Sequence, residues 1–134
     1  MSVAWVLDSS AILAWSRREP GWERVERAIS EGAAVSAVNW SEVLGKVIEK
    51  GESATDTIAD LARRGILGVL LHVHPLTEEG ALDVARLRPV TRAAGLSLGD
   101  RACLALARSL KLPVLTADRA WTRLHVGVKI ETIR

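Results

Sequence analysis

GLSLGDRACLALARSLKLPVLTAD, residues 95–118, decides the fold. Counting from Asp100, Cys103, Leu104, Ala107 and Leu110 stand three, four, seven and ten residues on, whereas Arg101, Arg108 and Lys111 mark the other side. Residues at those spacings share one face of a helix, so 98–110 reads as an amphipathic helix with its apolar stripe turned inward. Val114 and Leu115 then begin a strand, which Asp118 follows with Thr116 beside it. A helix packed before a parallel strand runs opposite to it. Its N-terminus, with Asp100, therefore returns to the carboxyl edge where the strand delivers Asp118. Asp100 lies on the face that should be buried, and a carboxylate there needs a reason.

The same alternation extends in both directions. VAWVL (3–7) reads as a strand, followed by a helix over about 9–17. EPGWERVERAIS (19–30) supplies a helix after Pro20, AAVSAV (33–38) a strand, and NWSEVLGKVIEKG (39–51) a helix ending on Gly51. Ser53 and Asp56 have capping-box spacing and open another helix. VLLHV (69–73) is the third strand, ended by Pro75; 77–94 is helical with a bend or break at Pro89, and Gly95 stops it. VKIETI (128–133) offers a fifth strand. Strands separated by helices imply an α/β fold, with a central, mainly parallel sheet of four to five strands between two helical layers. Residues 1–134 form one domain on this reading, with no repeat, linker or low-complexity tract.

Composition sets bounds without naming a function. A chain of 134 residues can bury enough surface to fold without disulfides, and a single cysteine, Cys103, allows none within the chain. Its place on an apolar helix face makes it a core residue rather than a nucleophile. The formal charge of +2 permits a nucleic-acid partner but does not argue for one. The apolar run 66–71 is far too short to span a bilayer, and no signal peptide is visible at the start, which predicts a cytoplasmic protein. With no tyrosine or phenylalanine, an aromatic RNA-binding platform on the sheet is disfavoured.

Four acids converge on the edge where open α/β sheets bind ligands. Asp8 follows the first strand, Glu42 lies in the first turn after the second, Asp100 opens its helix and Asp118 follows the fourth strand. Each also has an ordinary explanation. Asp8 and Asp118 suit helix N-caps, while Ser97-x-x-Asp100 and Asn39-x-x-Glu42 have capping-box spacing. Glu42 shares its helix face with Lys46 and Glu49, so an ion pair is available to it. As a group, however, the acids need more than caps. Two carboxylates about 4 Å apart repel by roughly 4 kcal/mol at an effective dielectric near 20. Protons, basic partners or a hard divalent cation would relieve that, and oxygen donors at this density suit magnesium or manganese. Thr116, beside Asp118, is a possible hydroxyl ligand or orienter, and Arg101 and Arg119, each next to an acid, are candidate phosphate contacts.

At this point DSSAILA after the first strand, EPG, the N-x-x-E of Asn39 and Glu42, GLSLGDRACLALA and TADRAW together resemble the PIN-domain ribonucleases, nearest the VapC toxins of bacterial and archaeal toxin–antitoxin pairs. The resemblance covers essentially the whole chain, and its last two motifs are the specific ones. It implies an RNA phosphodiesterase, an endoribonuclease, dependent on Mg²⁺ or Mn²⁺. Asp8, Asp100 and Asp118 would face the metal, while Glu42 would orient the attacking water, accept its proton or help hold a second ion. The resemblance also implies 5′-phosphate and 3′-hydroxyl products, an antitoxin of the VapB type as partner, and a homodimer.

Other features carry less. His72 and His74 form an H-x-H pair without companion ligands for zinc, and His125 has no catalytic partner. Trp22 and Trp121 read as packing residues, Trp5, Trp15 and Trp40 as features bearing on packing or target choice, and Asp56, Asp60 and Asp83 as surface. A receiver-type phosphoacceptor domain would need an acidic pair after the first strand, where this chain has Asp8-Ser9, and an acceptor aspartate after the third, where it has His-Val-His-Pro. A catalytically silent PIN fold acting as a binding module is the alternative that metal-dependent cleavage would separate.

Overall fold

Parallel sheets are covered on both faces, so their central strands read as continuous apolar runs rather than alternating ones. The segment 33–36 behaves in this way: every one of its residues is buried. The computed structural model, which describes residues 2–134, places it second in a sheet of five strands. In chain order the elements are β1 (Trp5–Leu7), α1 (Ser9–Arg17), α2 (Trp22–Glu31), β2 (Ala33–Ser36), α3 (Ala37–Glu49), α4 (Ala54–Arg63), β3 (Leu71–His74), α5 (Glu78–Arg86), α6 (Arg88–Thr91), α7 (Leu98–Leu110), β4 (Val114–Thr116) and β5 (Ile130–Thr132). The strand order is β3-β2-β1-β4-β5 and every pairing is parallel.

Successive strand residues point to opposite faces, which divides the core in two. Leu7, Val35, Leu71 and Leu115 pack beneath α1 to α4 with Ile12, Val25, Trp40 and Leu61. Val6, Ala34 and Val114 pack on the other side with Val84, Leu87, Cys103, Leu104 and Trp121, under α5 and α7. The three-layer α/β/α arrangement follows, with five strands, all parallel.

The first and fifth strands are shorter than the sequence reading, Trp5–Leu7 and Ile130–Thr132, and two further boundaries differ for a clear local reason. The second strand stops at Ser36, because the Ser36 hydroxyl accepts from the Val38 amide at 3.1 Å and caps α3. Ala37 and Val38 are thus helical, Asn39 is inside the helix rather than its cap, and Glu42 lies in the second turn. The third strand begins at Leu71 rather than at residue 69, because the amides of Leu70 and Leu71 both donate to the Ile66 carbonyl and hold the chain in a turn. The break expected near Pro89 is present. Proline has no N–H for the preceding turn, and α5 ends at Arg86 before the short α6. A 3-10 turn over Arg92–Ala94 then ends at Gly95, whose φ of 66° is the left-handed conformation glycine tolerates.

The sheet order reverses direction between β1 and β4, and in open α/β sheets the crevice at such a switch point is where ligands bind. Leu7 is in register with Leu115, which sets the residues after them, Asp8 and Thr116, side by side at that crevice.

Candidate functional site

Asp8 caps α1 at the end of β1, and the residue is only 4% exposed. Its Oδ1 accepts from the Ala11 amide at 2.9 Å and from the Ser10 hydroxyl at 2.8 Å. Its Oδ2 accepts from the Thr116 hydroxyl at 2.6 Å, with Ser10 Oγ at 2.9 Å. Burial pushes the Asp8 carboxyl up to about 6; the hydrogen bonds from Thr116, Ala11 and Ser10 oppose this, and the Asp100 charge adds to it. The same two hydroxyls stitch β4 to β1, since Ser10 Oγ accepts from the Ala117 amide at 3.0 Å and Thr116 Oγ1 from the Asp118 amide at 3.1 Å.

Asp100 occupies the third position of α7 in a capping box. Its Oδ2 accepts from the Ser97 amide at 3.0 Å, and the Ser97 hydroxyl accepts from the Asp100 amide at 3.1 Å. One oxygen serves the cap, and Oδ1 is left without a donor among the described residues. One turn on, the fully buried Cys103 thiol is held well above its usual range, first by burial and then by the charges of Asp8, Asp100 and Glu42. Asp8 after β1, Glu42 on α3 and Asp100 on α7 are thus all near enough to Cys103 for their charges to act on it.

Glu42 reaches this point from α3. Its Oε1 accepts from Asn39 Nδ2 at 2.9 Å, and the same nitrogen donates to the Gly99 carbonyl at 3.0 Å. Contact with α7 is close enough that a Cβ on Gly99 would lie 2.6 and 2.8 Å from the two Glu42 oxygens. Lys46, the expected ion-pair partner, bonds Glu49 at 3.2 Å instead.

Asp118 stands apart from this group. Its side chain is exposed and caps the 3-10 turn Arg119–Arg123, accepting from the Ala120 amide at 3.0 Å. It joins the others through its backbone, by way of Thr116. Thr116 itself is fully buried and spends its hydroxyl on Asp8. Backbone carbonyls hold the two flanking arginines: Arg101 Nη1 donates to Val84 at 3.2 Å, and Arg119 Nε to Arg134 at 2.9 Å. Ser10 and Gly99 have no role in the sequence reading, and Asn39 is named there only in its spacing to Glu42. Ser10 was signalled by the Asp-x-Ser spacing, Asn39 by standing three residues before Glu42 inside a helix, and Gly99 by being a glycine in a helical first turn.

The donor set fits a hard divalent cation. Among the described residues no lysine, arginine or histidine forms an ion pair with Asp8, Glu42, Asp100 or Asp118, so the buried Asp8 charge has only dipoles to balance it. The side chains as they stand do not enclose an ion, because no three Asp, Glu, His or Cys side chains among the described residues converge that tightly. Magnesium, however, ordinarily keeps several waters and takes one or two carboxylates. No such grouping forms around His72 and His74 either.

A family model described as PIN domain matches residues 5–126. No curated protein matches the chain in sequence. Among solved structures, the chain is similar to the DNA-bound VapBC of Salmonella typhimurium, with a TM-score of 0.71, 17% identity, and 99% of this chain and 100% of that one covered. It is similar to FitAcB from Neisseria gonorrhoeae, with a TM-score of 0.71, 21% identity, and 96% and 97% covered. VapBC-5 of Mycobacterium tuberculosis, described as a member of the VapBC family of toxin–antitoxin systems, gives a TM-score of 0.59 at 22% identity with 99% of both chains covered. At these identities the likeness establishes the fold.

Proposed function

The chain belongs to the PIN domain family, and from that premise we propose that it is a metal-dependent endoribonuclease, the toxin of a VapBC-type toxin–antitoxin pair. The observation that carries the reading is the buried Asp8 carboxylate, near Asp100 and reached from α3 by Glu42, with no basic side chain among the described residues paired to any of them. A cluster of that kind is costly as plain structure and useful as a cation site.

Asp8, Asp100 and Asp118 would hold Mg²⁺ or Mn²⁺ on this reading. When bound, the ion lowers the pKa of an attacking water and offsets charge on the phosphoryl oxygens. Asp8 is oriented by Ser10 and Thr116, so its oxygens keep one direction. Glu42, with Oε1 engaged by Asn39, offers Oε2 to orient the water and take its proton. Attack by water requires no 2′-hydroxyl, so the products carry 5′-phosphate and 3′-hydroxyl ends. The structural neighbours that are toxin–antitoxin complexes support a VapB-type antitoxin as partner; a homodimer acting in the cytoplasm completes the proposal. No described helix is long and apolar enough to cross a membrane.

The test uses the purified chain, freed of any partner, on a pool of structured RNAs with Mg²⁺, Mn²⁺ or EDTA, with Asp100→Asn alongside. Metal-dependent cleavage that the variant loses is the expected result. Equal cleavage by the variant would sink the assignment of Asp100. Calorimetric Mn²⁺ binding without cleavage of any RNA would favour a catalytically silent PIN fold.

A further inference from the structure

Asn39 is 1% exposed, and its side chain is spent in an unusual way for a buried amide. Nδ2 makes two bonds: one within α3, to Glu42 Oε1 at 2.9 Å, and one across to α7, to the Gly99 carbonyl at 3.0 Å. Oδ1 has no donor. A buried acceptor left unpaired costs about 1–3 kcal/mol, and asparagine is a poor helix former in a helix interior. An apolar residue would fill the same space without either penalty. Stability is therefore not what this amide serves.

Its effect falls on Glu42. The Glu42 side chain is on the exposed flank of α3, and Lys46, the cation one turn on, is occupied by Glu49. Without Asn39 the carboxylate would have no donor to choose one rotamer among several. With it, the carboxylate lies against the Gly99 Cα, in space that only glycine leaves open. Reversing the Asn39 amide would set its oxygen against both Glu42 Oε1 and the Gly99 carbonyl, so the donor orientation is the one the surroundings accept. We propose that Asn39 is a positioning residue, which holds the Glu42 carboxylate against the first turn of α7 next to Asp100. Its consequence for turnover rests on the nuclease reading above; the contact itself does not.

Two measurements test this together. In ¹⁵N-labelled protein the Asn39 side-chain amide should be protected from exchange, and in Glu42→Ala one of its two proton resonances should move upfield and exchange faster. Glu42 is exposed, so that variant keeps the fold. An Asn39 amide indifferent to Glu42→Ala overturns the proposal. With Mn²⁺ and the structured RNA pool, Asn39→Ala should lower kcat about 10–100-fold, the usual range for a supporting residue, with KM unchanged. The same substitution in the Glu42→Ala background should cost nothing more. Losses that multiply in the double variant, or an Asn39→Ala protein as active as wild type, also overturn it. A wild-type protein that cleaves no RNA under any metal would count against the nuclease reading, while the amide resonances still decide whether Asn39 holds Glu42.

Discussion

The carboxylate of Asp8, a residue 4% exposed with a second acid nearby, is stabilised among the described residues only by hydroxyl and amide dipoles, and the balance tips against the charged form. The Asp8 carboxyl sits at about 6 instead of its ordinary 3.8, so between those values the folded state holds a proton that the unfolded chain releases. Without metal, stability contributed by this group is present at low pH and lost as pH rises through 6. A neutral isostere escapes that loss. Asp8→Asn should make the metal-free protein more stable than wild type at pH 7.5, by at most about 3 kcal/mol for a shift of roughly two units. The gap should close as pH falls toward 4.5. Urea denaturation in EDTA at the two pH values reads it directly, and equal stabilities at pH 7.5 would mean that the hydroxyls of Ser10 and Thr116 fully compensate the charge. On the proposed reading, that cost is what a group kept for cation binding would carry.

Elements position these residues, and some of that positioning was legible from local chemistry. The Ser97–Asp100 spacing, the apolar stripe from Asp100 to Leu110 and the strand at Val114 give α7 and β4 their bounds, since every signal involved lies within a few residues. The junction of β2 and α3 was not legible. AAVSAV carries one polar residue, and Ser36 reads equally as a strand interior or as a cap; the structure makes it the cap, which moves Glu42 a turn deeper into the helix. The proximity of Asp118 to the sheet edge was predictable from the backbone, but the direction of its side chain depends on a turn formed later in the chain. Least legible was the contact between α3 and α7, where residues some sixty positions apart meet at Gly99. That contact has its own test. Alanine is favoured over glycine in helices by about 1 kcal/mol, so Gly99→Ala should leave stability unchanged or slightly higher. Its methyl group must displace the Glu42 carboxylate, and a displacement on the order of 1 Å can cost about 100-fold in rate. Circular dichroism melts paired with RNA cleavage separate the two effects. A destabilised variant would mean that the backbone of α7, rather than Glu42, gives way.

Across the whole molecule, the acids tie together parts of the chain that the sheet alone joins loosely. Asp8 ends β1 and begins α1, Asp100 begins α7 on the opposite face, and Glu42 comes from α3, which packs against both α1 and α7. A cation held between them would act as a crosslink present only in the folded state, because the unfolded chain keeps these residues far apart. Such a ligand stabilises by mass action, about 2.7 kcal/mol at a hundred times its dissociation constant. Mn²⁺ should therefore raise the melting temperature by several degrees in a concentration-dependent way. The individual carboxylates should contribute unequally. Asp8→Asn and Asp100→Asn remove acids whose charges reach each other, and should abolish the shift. Asp118 is exposed and occupied with the Ala120 amide, so Asp118→Asn should weaken the shift without removing it. Equal loss in all three variants would mean that the 3-10 turn over Arg119–Arg123 rearranges to bring Asp118 onto the ion. No shift in the wild type at millimolar Mn²⁺ would leave Asp8, Asp100 and Asp118 as caps and little else.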